Sequence, residues 1–201
     1  RNRVTMLPAI LYICSLIVVP IGYAESQTSA IFDEVNHFRS AMNLNPLSWN
    51  DHLAQSAKNH SNYLALNKIY SHLENPALEG YTGVKPSDRI EYTGAKFQST
   101  AEVIAYRSNS EKEAIRRLID APFHRIPFLN PNLKEVGSST SVDANRNIHN
   151  ITIDFADSSN TLGVDSDLMY PSPGQSNIAP LWINAEDPNP LADIPDAGDH
   201  L

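Results

Sequence analysis

The order of elements along this sequence predicts an α+β or layered α/β/α fold, because amphipathic helices come first and strands come late. Three observations carry that expectation. Ile31, Val35, Phe38 and Met42 recur at spacings of four, three and four, which puts them on one helix face. Ala114, Ile115, Leu118 and Ile119 form an apolar stripe on a helix expected over residues 110–120. Ile151, Ile153 and Phe155 alternate with Thr152 and Asp154, the pattern of a half-buried strand.

Each element has a local reason. The first helix breaks at residues 43–49, where Pro46 makes a turn. Asn50 or Asp51 can cap a second helix, which Leu53, Ala57, His60, Ser61 and Leu64 continue to about Asn67. Residues 68–100 are rich in turn signals, among them Asn75-Pro76, Glu79-Gly80, Thr82-Gly83 and Lys85-Pro86. Within them Ser87 is expected to cap a short helix over residues 88–92. Pro122 ends the third long helix, and strands are expected over 135–139 and 148–155.

The two ends differ from the middle. Arg1 and Arg3 precede an apolar run over 9–22, interrupted only by Ser15 and Pro20, and Gly22-Tyr23-Ala24 offers small residues for cleavage. This is the layout of a secretory signal, expected over residues 1–24. The run is shorter than the ~20 residues that span a bilayer, so no stable membrane span is expected after cleavage. Residues 25–157 are then the folded domain. Residues 158–201 read as a Pro-rich, acidic connector or the start of a further β-rich region, with apolar anchors at Leu181, Trp182 and Ile183.

Composition narrows the function classes. The chain has 201 residues, 15 basic and 23 acidic, with net charge −8, 41% hydrophobic residues, 14 prolines and one cysteine. The apolar content suits a globular chain. The single cysteine, Cys14, excludes an intrachain disulfide and a thiolate metal cluster. The acidic balance argues against nucleic acid as a partner. Residues 157–201 hold 8 acidic and no Lys or Arg residues, so most of the negative charge belongs to the tail and the body is nearly neutral.

No HExxH helix, G-x-S-x-G elbow or P-loop is present. Of seven histidines, His37, His52, His149 and His200 lack convergent neighbours and read as surface groups. His60 shares the apolar face of the second helix and reads as a packed histidine. Asp88-Arg89 reads as a helix-start charge pair of little worth if exposed. The remaining candidates are His72 in Tyr70-Ser71-His72-Leu73-Glu74, Glu102 beside an apolar run, and His124 in Ala121-Pro122-Phe123-His124-Arg125. Glu102, flanked by apolar residues, needs a buried partner. From the residues alone, His72, His124 and Glu102 can be separate structural groups, a divalent-metal site with an open position, or an acid–base site in which Glu102 orients an imidazole.

Taken in order, these segments resemble the CAP superfamily, the SCP-like domain of cysteine-rich secretory proteins, antigen 5 and pathogenesis-related proteins, in its bacterial, cysteine-free branch. The resemblance runs from about Ile31 to Phe155. It includes Asn36-His37-Phe38-Arg39, the turn through Leu44, Pro46, Leu47 and Trp49, Tyr70-Ser71-His72, Asp88-Arg89-Ile90, Gly94, His124-Arg125, Asn130-Pro131 and Glu135-Val136-Gly137. It implies a three-layer α/β/α sandwich with a central, mainly antiparallel sheet. It also implies a cleft in which His72 and His124 match the two histidines and Glu102 the first glutamate. The second glutamate's position falls near Ala121 and is lost, and the adjacent Asp120 points elsewhere. The tail, through Tyr170-Pro171-Ser172-Pro173-Gly174 and Asp187-Pro188-Asn189-Pro190, resembles a connector of longer bacterial members.

The function expected on this basis is an exported binding or interaction module, secreted or held in the cell envelope. Its His72/His124/Glu102 cleft would take a divalent metal such as Zn2+, with His72 and His124 as ligands, or a small apolar ligand. Its partner would be a protein, lipid or cell-envelope ligand. The alternative is a metal-dependent hydrolase acting on peptide or cell-wall material. Ser71 adjoins His72, but neighbours on an extended segment face opposite sides, so they make a poor nucleophile pair.

Overall fold

The structure, a computed structural model, describes residues 30–143, 148–158, 169–176, 178, 186 and 189–193. The signal segment, Cys14, His200 and the anchors Leu181, Trp182 and Ile183 lie outside the described residues.

Helix α1 is Ala30–Ala41, with Ile31, Val35 and Phe38 buried as their spacing requires. Asn36 holds the Pro46 turn with both ends of its amide: Nδ2 donates to Leu47 O at 3.0 Å and Oδ1 accepts from Leu47 N at 2.8 Å. That turn delivers β1, Ser48–Trp49. Helix α2, Asp51–Asn67, starts on the cap of Asn50, whose side chain accepts from His52 N and Leu53 N. Lys68 ends it in the left-handed region. Helix α3 is Pro86–Tyr92. Ser87 lies inside it, and its start is fixed instead by Pro86 in the first turn and by Asp88 Oδ2 accepting from Lys85 N at 3.1 Å.

Strand β2 is Ser99–Ser108. Helix α4, Glu111–Asp120, is capped by Ser110, and α5, Arg125–Leu129, follows it. Strands β3, Glu135–Asp143, and β4, Ile148–Asp157, are longer than the sequence pattern suggests. The sheet order is β1-β3-β4-β2, with β1 parallel to β3 and the other two pairs antiparallel.

Period-two alternation divides the helices between the two faces. Val103, Ala105, Ile151, Ile153 and Phe155 point into one cluster with Ile31, Val35, Phe38, Ile115, Leu118 and Phe128, so α1, α4 and α5 cover that face. Ile104 packs with Tyr63 and Leu64, Ala156 packs with Leu53, and Thr152 accepts a hydrogen bond from Ser61 at 3.0 Å, so α2 covers the other. The result is the expected α/β/α sandwich.

Two features set how closely the layers approach. Gly137 of β3 lies directly under the first turns of α2, where a Cβ would run into the Leu53 carbonyl carbon and the Ala54 nitrogen. Gly137→Ala is expected to cost at least the ~1–3 kcal/mol typical of overpacking, read as a lower urea midpoint. Arg39, fully buried, donates Nε to Asn45 O at 2.9 Å and Nη1 to Phe128 O and Asn130 O at 2.9 and 3.0 Å. It thereby ties α1 to the turn that follows it and to the C-terminal end of α5.

Candidate functional site

On the α2 face the sheet carries carboxyl groups beside the apolar Ile104 and Ala156. Glu102 and Asp154 are direct cross-strand partners in β2 and β4, both pointing towards α2. Five further polar side chains close around them: Ser56 and His60 from α2, His72 and Glu74 from the loop after α2, and Arg89 from α3.

Glu102 is the hub. Its Oε1 accepts from His72 Nδ1 at 2.8 Å and its Oε2 from Arg89 Nη2 at 2.6 Å. Burial works to raise its pKa, but the His72 hydrogen bond and the charges of Arg89, His60 and His72 outweigh burial and hold the carboxyl below the usual range. The partners expected for Glu102 are therefore present. Arg89, however, is no exposed helix-start charge: it is completely buried and also donates Nη1 to His72 O at 3.0 Å. The short α3 faces it inward, which a seven-residue helix with only Ile90 as its other buried residue does not announce in sequence.

His60 is buried, as its place on the α2 face implies, but it is bonded at both ring nitrogens. Nδ1 lies 2.9 Å from Glu74 Oε1 and Nε2 lies 3.0 Å from Ser71 O. A carboxylate and a carbonyl only accept, so each ring nitrogen faces an acceptor. Glu74 Oε2 also accepts from Thr82 N at 2.8 Å and Gly83 N at 3.4 Å. Arg89, 2.6 Å from Glu102 and 3.8 Å from Glu74, is the fixed positive charge that balances these carboxylates.

Asp154 stands outside that balance. Neither of its oxygens, nor Ser56 Oγ, makes a hydrogen bond of ordinary length and angle, though Ser56 is near enough to favour the ionised carboxyl slightly. Burial, and then the charge of Glu102, push its pKa well above the ordinary range, so Asp154 is the protonated member of the pair.

His72 forms the rim, with its side chain 37% exposed. Its Nδ1 is held by Glu102, and its Nε2 has no protein partner among the described residues. Beside it Tyr70 meets Tyr106 edge-on at 4.6 Å, and Arg107 lies over the Tyr70 ring at 5.3 Å. Burial and the Glu102 charge raise the Tyr106 hydroxyl above its usual range. Tyr70, Leu73, Leu78, Tyr81 and Val84 leave apolar surface exposed along the same loop. Ser71 Oγ accepts from Leu73 N at 2.9 Å, which turns the loop and leaves the hydroxyl unpaired with any histidine.

No hydrogen bond or ion pair joins His124 to His72 or Glu102 among the described residues. Its carboxylate partner is Glu186, whose Oε1 lies 2.6 Å from His124 Nδ1 and accepts from Phe123 N and His124 N at 2.9 and 2.8 Å. Asp120 makes no hydrogen bond or ion pair with His124 among the described residues, and burial raises its pKa. Glu74, Arg89 and Glu186 are thus site residues that sequence reasoning missed. Glu74 had one signal, its place two residues after His72, and Glu186, 62 residues from His124, had none. His37 and His52 are exposed, as expected.

Each cleft imidazole therefore has Nδ1 fixed by a carboxylate and Nε2 available, the arrangement that prepares histidine as a metal ligand. Among the described residues no group of three or more His, Cys, Asp or Glu side chains is arranged to hold a metal ion. Among the same residues no helix is long and apolar enough to cross a membrane.

Comparisons with known proteins agree with this architecture. No curated protein matches the chain. An extracellular protein containing an SCP domain from Bacillus anthracis superposes with a TM-score of 0.54 at 28% identity, covering 63% of this chain and 39% of that one. An outer surface protein from Borrelia burgdorferi gives 0.56 at 21% identity, covering 64% and 90%. A cysteine-rich secretory protein from Staphylococcus aureus gives 0.50 at 19%, covering 69% and 41%. The chain thus spans about two fifths of the Bacillus and Staphylococcus proteins. The family model described as "CAP: Cysteine-rich secretory protein family" matches residues 32–155, more than half of the chain. With the sandwich fold and the ordered motifs in agreement, the chain belongs to the CAP, or cysteine-rich secretory protein, family.

Proposed function

We propose that this is an exported binding module whose cleft takes a divalent metal such as Zn2+ through the Nε2 atoms of His72 and His124. The observation that carries the reading is the pairing of each Nδ1 with a buried carboxylate, at 2.8 Å for His72–Glu102 and 2.6 Å for His124–Glu186. A carboxylate on Nδ1 fixes the tautomer, directs the Nε2 lone pair outward and makes the ring a better donor. The donor chemistry fits a borderline metal, and two protein ligands make an open, weak site. A metal bound there would supply Lewis acidity to a ligand oxygen. The residues themselves contribute orientation: Arg89 fixes Glu102, and Glu102 fixes His72.

The exposed apolar residues of the loop through Tyr70, Leu73, Tyr81 and Val84 support a binding role, because they adjoin His72 and offer contact area to a small apolar ligand or partner. Export is supported by the signal pattern at residues 1–24 and by the extracellular and outer-surface relatives. The hydrolase reading has no serine paired with a histidine among the described residues and would rest on a metal-activated water. Isothermal calorimetry with Zn2+ tests the metal: the wild type is expected to bind, and His72→Ala and His124→Ala each to lose at least tenfold in affinity. Equal affinity in all three proteins, or none in any, would remove the metal from this cleft.

A further inference from the structure

We propose that Glu186 is a positioning residue for His124, so that the C-terminal segment supplies the carboxylate that holds this ring. The segment lies outside the matched family region of 32–155. Its contacts nevertheless converge on the corner between α4 and α5. Glu186 Oε1 gathers three donors, two successive backbone amides and the His124 ring, at 2.6–2.9 Å, with its side chain only 2% exposed. Tyr170 of the same segment packs on Phe38 at 5.9 Å between centroids and lies under the Arg125 guanidinium at 4.1 Å. Leu191 is buried as well. Tyr170 and Leu191, on either side of Glu186 in sequence, are thus also packed against or buried in the protein.

The chemistry of the contact gives it a consequence. Two of the three donors are peptide N–H groups with fixed positions, so they set the carboxylate, and the carboxylate then sets the ring. Glu186 accepts the Nδ1 proton of neutral His124, which leaves the lone pair on Nε2. A histidine without such a partner favours the opposite tautomer, with the proton on Nε2. Asp120, next to Ala121 in sequence, makes no hydrogen bond or ion pair with His124 among the described residues, where the ring's carboxylate partner is Glu186. The Glu186 contact and the state of His124 are therefore coupled. Anything that removes Glu186 from His124 withdraws the Nε2 donor.

The test uses the full chain and side-chain nitrogen NMR. Neutral wild-type His124 is expected as the Nδ1–H tautomer. In Glu186→Ala it is expected to change to mainly Nε2–H, with His72 unchanged. In Glu186→Gln, whose amide oxygen can still accept, the Nδ1–H form is expected to be largely retained. An unchanged His124 tautomer in a folded Glu186→Ala protein would overturn the proposal. A second measurement needs no variant: the Phe123 and His124 amides, which donate to Glu186, are expected to be protected from hydrogen exchange in the wild type. Exchange at the rate of an unstructured chain would equally overturn it. The metal consequence rests on the function proposed above, with Zn2+ affinity expected to fall about 10–100-fold in Glu186→Ala. If the wild type binds no Zn2+, that function fails, while the tautomer and exchange results still decide the role of Glu186.

Discussion

Arg89→Met is expected to cost about 3–5 kcal/mol of folding stability, the range for removing one partner of a buried ion pair. The reason is the charge balance beneath the cleft. Arg89 offsets Glu102 at 2.6 Å and Glu74 at 3.8 Å, all three with side chains no more than 1% exposed. Methionine fills part of the guanidinium volume but leaves the Glu102 carboxylate with a buried negative charge and a lost 2.6 Å hydrogen bond. It also releases the His72 carbonyl. Arg89→Met combined with Glu102→Gln should recover much of the loss, because the neutral amide no longer requires a counter-charge. Urea unfolding of the two proteins and the wild type measures both effects. A cost under 1 kcal/mol for Arg89→Met would show that Arg89 is not the counter-ion of Glu102.

Asp154→Asn is expected to stabilise the protein at neutral pH and to change how stability depends on pH. A carboxyl whose folded pKa lies well above its unfolded value of about 3.9 keeps its proton in the folded state after the unfolded chain has released it. In that interval the folded state binds one more proton, so unfolding free energy falls as pH rises, by up to ~1.4 kcal/mol per pH unit. The contribution is complete below about pH 3.9 and is lost as pH climbs through the folded pKa. Glu102 acts in a separate window and with the opposite sign. Its folded pKa is depressed, so its stabilisation is present above about pH 4.3 and disappears as the solution is acidified through the folded value. Asparagine mimics the protonated acid and can donate to Glu102, so the variant should lose the decline above pH 4 and keep the acid-side loss. Urea midpoints from pH 3 to 9 distinguish the two windows. A wild type and variant with parallel profiles above pH 4 would mean that Asp154 is ionised in the fold.

The same cluster explains why the site was only half legible. His72, Glu102 and His124 stand out as isolated polar residues in recognisable segments, and the structure does pair His72 with Glu102. What selects their partners is geometry across long separations: Arg89 lies 13 residues from Glu102, and Glu186 lies 62 from His124. Sequence assigns a charge to Arg89 but no burial, because α3 is too short to show a periodic face. His60 is legible as buried from its helix face, yet both acceptors at its ring nitrogens are brought by the loop at Ser71 and Glu74.

The sequence by itself determined the three longer helices with a cap at Asn50, the late strands, and the order of segments that marks the family. These rest on local rules, namely periodicity, capping and turn chemistry, which act within a few residues. Strand β2 was hidden, because its alternation places Glu102 and Ile104 on one face as Val103 and Ala105 occupy the other, and both faces are covered. Only the tertiary structure decided that Glu102 and Asp154 face each other across two strands, that one of them must keep a proton, and that His124 is held by the tail instead of by the cleft's first acid. Those outcomes depend on cross-strand register and on desolvation. Both arise from which elements pack together, and neither is encoded in the neighbourhood of any single residue.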